Sequence, residues 1–304
     1  MSTISTCLTF DVDAMSVWLG TIKTKNPSAI SRGEFTVLGT TRVLDFLRRK
    51  ELRATFFVPG HTAYAFPDLV KRMRDEGHEI GHHGWVHENP AELDADHEIA
   101  VLEKGFEALH RTAGVRPVGY RSPAWDFSDR SLNLLQRYGF EYDSSLLGSD
   151  FIPYYVRDGD RFGPDEPYKF GKVIDLVELP GHWSLDDFAA LETIVGLIPG
   201  YVPPRQLEEM WRDDFDFAAS ECQDGVFTLT MHPQCIGRGS RLRMLERLVD
   251  HMRETSDVTF RTMGDYARYW RSENPLDAWK AANSLRTGVN AITNIYVPSK
   301  HDIG

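Results

Sequence analysis

Ala54-Thr-Phe-Phe-Val58, Pro67 to Glu76 and Glu79-Ile-Gly-His-His83 follow one another in the chain, and their reading decides the fold. The first is a short apolar run closed by Pro59-Gly60, and reads as a strand. Pro67 to Glu76 has proline near its start and Gly77 after its end, which marks a helix. Glu79 to His83 is again of strand length. Outward from here the same alternation recurs. Cys7-Leu-Thr-Phe10 reads as a buried strand ending at Asp11. Val37 to Lys50 has helical spacing, with Val37, Leu38, Val43, Leu44 and Leu47 on one side. Asp94 to Ala113 is a long helix ended by Gly114, and Pro117 to Pro123 a fourth strand. Ser128 to Tyr138 is a helix with Ser128 as N-cap and Gly139 as its stop. Phe140 to Asp143, Val173 to Leu179, Gly225 to His232 and Val258 to Arg261 are further strands. Pro204 to Cys222 and Ser240 to Thr255 are helices between them.

Such alternation over about 270 residues predicts a parallel α/β fold closed as a barrel. No internal repeat or low-complexity linker interrupts it, so a single domain is expected. The barrel covers residues 1–272 and a C-terminal extension 273–304, in which Leu276 to Leu285 reads as one more helix. The polar and aromatic segment Asp143 to Lys172 reads as a lid or an oligomer contact.

The chain has 304 residues, 41% hydrophobic and 26% charged, as in ordinary soluble domains. Its 34 Lys and Arg against 45 Asp and Glu leave a net charge of −11, which argues against nucleic acid and anionic membranes as partners. Cys7, Cys222 and Cys235 are odd in number and scattered, so neither a disulfide framework nor a structural zinc knot is expected. The start lacks a basic region followed by a long apolar one. The uncharged stretch Thr193 to Pro204 is too short to span a bilayer. A cytoplasmic protein is expected.

Ionisable residues fall at strand ends: Asp11 and Asp13, then His82, His83 and His87, then Arg121, then His232. In a parallel barrel these ends converge on one face, where such enzymes keep their active sites. His83-Gly-Trp-Val-His87 puts two imidazoles at i and i+4, on one side of a helical turn, able to hold zinc, nickel, cobalt or iron. His83 is preferred over His82 because only it has the four-residue spacing to His87. Asp11-Val-Asp13 places two carboxylates the same way on an extended strand end. Two negative charges in one site need a cation or a raised pKa. The proposed division is Asp13 on the metal and Asp11 as general base, with Arg121 orienting Asp11. On that metal face His232 becomes the natural general acid. Trp18, Trp85, Trp125, Tyr154, Tyr155 and Trp183 lie near these loops, and half of them are expected to be core. Trp18, Trp125, Trp183 and Pro123 are the candidate substrate contacts.

Together these pieces resemble the polysaccharide deacetylase family, also called NodB-homology or carbohydrate esterase family 4. The matching motifs are Thr9-Phe-Asp11-Val-Asp13, His83-Gly-Trp-Val-His87, Arg121-Ser-Pro123 and Thr230-Met-His232, in the family's order over residues 5 to 270. The resemblance implies a distorted (β/α)7 barrel and a divalent metal, usually zinc. It also implies Asp13, His83 and His87 as ligands, Asp11 as base and His232 as acid. Ser16-Val-Trp18-Leu-Gly20, Ile30-Ser-Arg-Gly33, Phe57-Val-Pro-Gly-His61, Glu88-Asn-Pro90, Asp150-Phe-Ile-Pro-Tyr-Tyr155 and Leu185-Asp-Asp187 look like its cytoplasmic branch. That branch holds the Helicobacter-type peptidoglycan deacetylase, bacterial cyclic imidases and, more distantly, metal-free allantoinases, typically as tetramers. The family's usual Asp-Asp-Gly is Asp-Val-Asp-Ala here, and the Ser or Thr after its first metal histidine is Gly84.

These departures and the expected compartment favour metal-dependent hydrolysis of a carboxamide C–N bond in a small cyclic imide or amide. Deacetylation of N-acetyl sugars in peptidoglycan is the alternative, and a metal-free ureide hydrolase a further one. A small-molecule substrate and a homotetramer are the expected partners.

Overall fold

A computed structural model describes residues 4–283 except 195, 223, 256 and 257. Its strands are β1 (Ser5–Asp11), β2 (Thr55–Val58), β3 (Glu79–His82), β4 (Gly119–Tyr120), β5 (Tyr142–Asp143), β6 (Tyr154–Asp158), β7 (Arg161–Gly163), β8 (Glu166–Lys169), β9 (Lys172–Glu178), β10 (Val226–Met231) and β11 (Thr259–Phe260). Seven of them pair in parallel in the order β10-β1-β2-β3-β4-β5-β9, a curled sheet with helices on its outside. This is the distorted (β/α)7 barrel expected from the sequence.

Every residue of β1 is buried, because the strand is covered on both faces. Alternate side chains then enter two different cores. Leu8, Phe10, Phe56 and Val58 pack outward against Val43, Leu44 and Leu47 of the helix Phe35–Arg49. Cys7 and Phe57 join Tyr120, Tyr142, Val177 and Met263 in the other core. Thr9 and Asp11 share the parity of Cys7, so the strand aims its polar end into the barrel interior. Val37 and Leu38 were expected on the buried side of their helix, but are 37% and 46% exposed. The helix turns instead on Gly39, where a Cβ would lie 2.1 Å from the carbonyl oxygen of Pro233.

Local signals set several boundaries. Asp94 caps the helix Ala95–Ala113 by accepting from the His97 amide at 2.9 Å, and Gly114 ends it in the left-handed region at φ +66°. The next helix runs Ser131–Tyr138 and starts later than expected. Ser128 is not its N-cap. Its hydroxyl accepts from the Arg130 amide at 3.0 Å and donates to Glu98 at 2.8 Å.

The segment Asp143 to Lys172 is no lid. β6 runs antiparallel to β9 and extends the sheet edge, while β7 and β8 form a separate hairpin. Beyond β9 the chain turns back across the gap in the barrel, where Asp186 pairs with Thr230 next to β10. The C-terminal helix spans Leu276–Ala282 and packs on its own subunit, with Trp279 against Tyr155 and Trp270 at 5.4 and 6.5 Å. Its expected continuation to Leu285, and the rest of the extension, lie outside the described residues. Among the described residues no helix is long and apolar enough to cross a membrane.

Candidate active site

The strand ends meet around a cavity of about 360 Å³ lined by Asp11, Asp13, His83, His87, Asp186 and His232. Asp13, His83 and His87 are all buried, and one ligand atom from each lies within 4.8 Å of the others. Asp13 Oδ1 is 3.4 Å from His83 Nε2 and 3.7 Å from His87 Nε2. Both Asp13 oxygens and His83 Nε2 lack a hydrogen-bond partner among the described residues. Buried polar atoms are rarely left so unless an ion or water takes them.

The tautomers of both rings can be read from their other nitrogens. His83 Nδ1 is 2.7 Å from the carbonyl oxygen of Arg121, an acceptor only, so Nδ1 carries the proton. The Thr21 hydroxyl donates to the His87 carbonyl at 2.7 Å, so at 2.6 Å it must accept from His87 Nδ1. Both Nε2 lone pairs therefore face Asp13, as metal-ligating histidines are held. The residues fit a divalent cation of the zinc type, in a set of two imidazoles and one carboxylate with open positions.

The two histidines do not lie on a helical turn, as their spacing suggested. Gly84 and His87 adopt φ +71° and +61°, and the loop they form is not helical. The rings still come within 4.8 Å of each other. His82 is excluded as a ligand because both its nitrogens are in use. Nε2 meets the Leu102 carbonyl at 3.0 Å, and Nδ1 accepts from the Gly84 amide at 3.2 Å. Thr21 reaches His87 because Gly20 lets the turn Val17–Thr21 lie against the loop. A Cβ there would stand 1.9 Å from the Val86 oxygen.

Arg121 is fully buried and donates to Asp11 Oδ1 and Thr9 Oγ1, each at 2.8 Å. Ser144 accepts two more, through its carbonyl at 3.2 Å and its hydroxyl at 2.9 Å, and Met263 Sδ takes the last at 3.9 Å. The guanidinium lies 4.3 Å from the centre of the Phe57 ring, so its plane is fixed on every side. Opposite, His232 donates from Nδ1 and from its backbone amide to Asp187 Oδ1, both at 2.8 Å. Its Nε2 looks back at Asp13 Oδ2 at 3.7 Å.

Burial pulls the His232 pKa down, but Asp186, Asp187 and Asp13 outweigh it and hold the imidazole well above its ordinary value. Burial would raise Asp13, yet His87, His83 and His232 keep it below the usual carboxylate range. Burial lowers His87 to about 4, which keeps it neutral. His83 is pulled down by burial and up by Asp11 and Asp13, with a net rise, so a proton and a cation compete for the same lone pair. Asp186 is pushed up to about 7 by burial.

Trp125 and Trp183 wall the cavity, their ring centres 4.5 Å apart. Trp18 and Pro123 are not among its lining residues. Trp18 is buried in the outer core, with Arg32 over its ring at 5.2 Å. Pro123 stands behind the metal loop, 3.3 Å from where a Cβ on Gly84 would sit. Tyr154 and Tyr155 are buried in the inner core, and Trp85 packs edge-on against His61 and Tyr64. None of the described residues 143–172 lines the cavity. Its cover comes from Trp183, Phe188, Ala189, Ile194, Leu197 and Ile198.

Asp186, Asp187 and Thr21 had no assigned role from sequence. Leu185-Asp-Asp187 stood out only through the family resemblance, and nothing local pairs it with a histidine 45 positions on.

The family model for polysaccharide deacetylase matches residues 23–142. A peptidoglycan deacetylase of Helicobacter pylori is 36% identical over 87% of this chain and 95% of its own. The crystal structure of a provisionally assigned polysaccharide deacetylase from Mycobacterium smegmatis superposes with a TM-score of 0.78 at 33% identity, covering 90% of this chain and 91% of that one. Puue allantoinase shares the fold, with a TM-score of 0.74 at 20% identity over 90% and 92% of the two chains. With its motifs in order on this barrel face and a relative matched over nearly its whole length, the chain belongs to the polysaccharide deacetylase family.

Proposed function

We propose that the chain removes the acetyl group from the N-acetyl amide of an amino sugar, free or in peptidoglycan fragments, with a divalent cation at Asp13, His83 and His87. The observation that carries the chemistry is the convergence on one cavity of that ligand set with two oriented proton-transfer groups, Asp11 on Arg121 and His232 on Asp187. The name of the Helicobacter pylori relative supports acetyl removal from a glycan.

When bound, the cation supplies Lewis-acid polarisation of the amide carbonyl and makes a nearby water more acidic. Asp11 takes the proton from the attacking water. Arg121 keeps that carboxylate oriented through its 2.8 Å hydrogen bond. His232, held protonated by the surrounding carboxylates, delivers its proton from Nε2 to the departing nitrogen. Asp187 fixes the ring so that Nε2 faces the reacting centre. The apolar side chains lining the cavity lower the local polarity, which strengthens each electrostatic contact.

A second reading, ring opening of a small cyclic imide, is favoured by one observation. The cavity is compact, and Trp125, Trp183, Phe188, Ile194, Leu197 and Ile198 give it an apolar wall that suits a small ring. Sequence reasoning put this reading first, and the relatives support the opposite order. The two are separated by incubating metal-replete protein with N-acetylglucosamine oligomers and peptidoglycan fragments, and in parallel with succinimide and hydantoin. Acetate release is expected. Ring opening without acetate release would overturn the proposal.

A further inference from the structure

Each of the other ionisable groups around the cavity has a hydrogen-bonded or ligating partner, whereas Asp186, whose charge acts on His232, keeps an oxygen without one among the described residues. Arg121 balances Asp11, Asp187 balances His232, and Asp13 stands between the two ligand histidines. Asp186 remains. It lines the cavity, is only 4% exposed, and reaches it because its backbone pairs with Thr230 across the barrel gap.

One oxygen of Asp186 is occupied. Oδ1 accepts from the Phe188 amide at 2.6 Å and caps the short helix Asp187–Leu191. A cap needs only one oxygen, and serine or asparagine would serve equally. The second oxygen has no hydrogen-bond partner among the described residues. It is also not sealed off, unlike the unpartnered oxygens of Asp13 and Asp187. The oxygen is open to the cavity, where a donor on a ligand can complete it.

Its position says which part of a ligand that would be. Asp186 Oδ1 is 3.8 Å from His232 Nδ1, on the ring whose other nitrogen faces the reacting centre. Because Asp186 also lines the cavity beside His232, its carboxyl borders the place that the departing nitrogen takes in the proposed mechanism. Phe188, Ala189 and Trp183 of the same lining carry no side-chain acceptor. We infer that Asp186 is a specificity-determining residue whose free oxygen accepts a hydrogen bond from a substrate hydroxyl next to the carbon bearing the scissile nitrogen. This rests on the amide-hydrolase reading of the same cavity. It defines the substrate class further, as a hydroxylated N-acyl amine in preference to a plain one.

The test uses the metal-loaded full chain, with Asp186→Asn and Asp186→Ser beside the wild type. Both variants keep the helix cap, and thermal melting checks that the fold is retained. In the serine variant the hydroxyl serves the cap and nothing reaches the substrate hydroxyl, whereas in the asparagine variant the amide NH2 faces it and the hydroxyl oxygen can still accept. The ligands are N-acetylglucosamine and N-cyclohexylacetamide, which lacks hydroxyls. Binding is read from tryptophan fluorescence, since Trp125 and Trp183 line the cavity, and turnover from acetate release. The serine variant should weaken Kd for N-acetylglucosamine by about 10- to 100-fold, the asparagine variant less, with the Kd of N-cyclohexylacetamide little affected; kcat should fall alike on both ligands, because His232 loses the Asp186 charge. Equal loss of binding on both ligands, no loss of binding on either, or a wild type that binds neither would overturn the inference. A wild type that binds N-acetylglucosamine without releasing acetate would overturn the deacetylase reading alone, because the Kd contrast at Asp186 still decides this one.

Discussion

At the residue scale, His232→Ala should keep the cation and lower kcat by about 10²- to 10⁴-fold, as removal of a general acid does. Metal content by elemental analysis and single-turnover acetate release check the two halves. Asp187→Asn should act on the pH profile. An acid must be protonated, so activity is lost as pH rises through its pKa. Asp186 and Asp187 hold that pKa above the ordinary 6.5, against burial. Removing the Asp187 charge lowers it, and the alkaline limb of kcat should move to lower pH. A limb that stays in place would assign it to another group. Asp11, Asp13, His83, His87, Arg121 and His232 were legible because each sits at a strand end, where topology alone delivers it to one face. Thr21, Asp186 and Asp187 were not. Their roles depend on partners 66, 44 and 45 positions away, which only the barrel closure brings near.

At the element scale, the metal loop depends on close backbone approach. Gly20→Ala would drive a Cβ into the backbone oxygen of Val86, 1.9 Å away, and neither element can yield without moving Thr21 or His87. The substitution should cost about 1–3 kcal/mol of stability, the range for overpacking. It should also weaken metal binding, because His87 loses the hydroxyl that fixes its tautomer. Denaturant unfolding and a chelator competition check these separately. Elements with strong end signals, such as Ala95–Ala113 with its Asp94 cap and Gly114 stop, were readable to within a residue. The i, i+4 spacing of His83 and His87 was readable as a pair but not as a loop, since left-handed residues at Gly84 and His87 leave no periodic mark. The short strands of 143–172 were hidden because β7 and β8 lie wholly exposed, without the apolar alternation a buried face imposes.

At the scale of the molecule, seven parallel strands deliver Asp11, Asp13, His83, His87 and His232 to one rim, the candidate ligands and proposed proton-transfer groups, and the segment after β9 closes the gap with Asp186 and Asp187. The fold class was legible from strand–helix alternation over most of the chain. The source of the cavity cover was not, because Trp183 to Ile198 carries no regular pattern and shares its work between the barrel rim and the cavity wall. The central claim joins this architecture to one chemistry, amide hydrolysis that needs a cation at Asp13, His83 and His87. The most direct measurement is acetate release from N-acetylglucosamine oligomers while chelator-treated protein is titrated with Zn2+, with Asp13→Ala alongside. The account predicts release that rises with bound metal, saturates near one ion per chain and is absent in Asp13→Ala. Release that is undiminished without metal, or equal in Asp13→Ala, would contradict it.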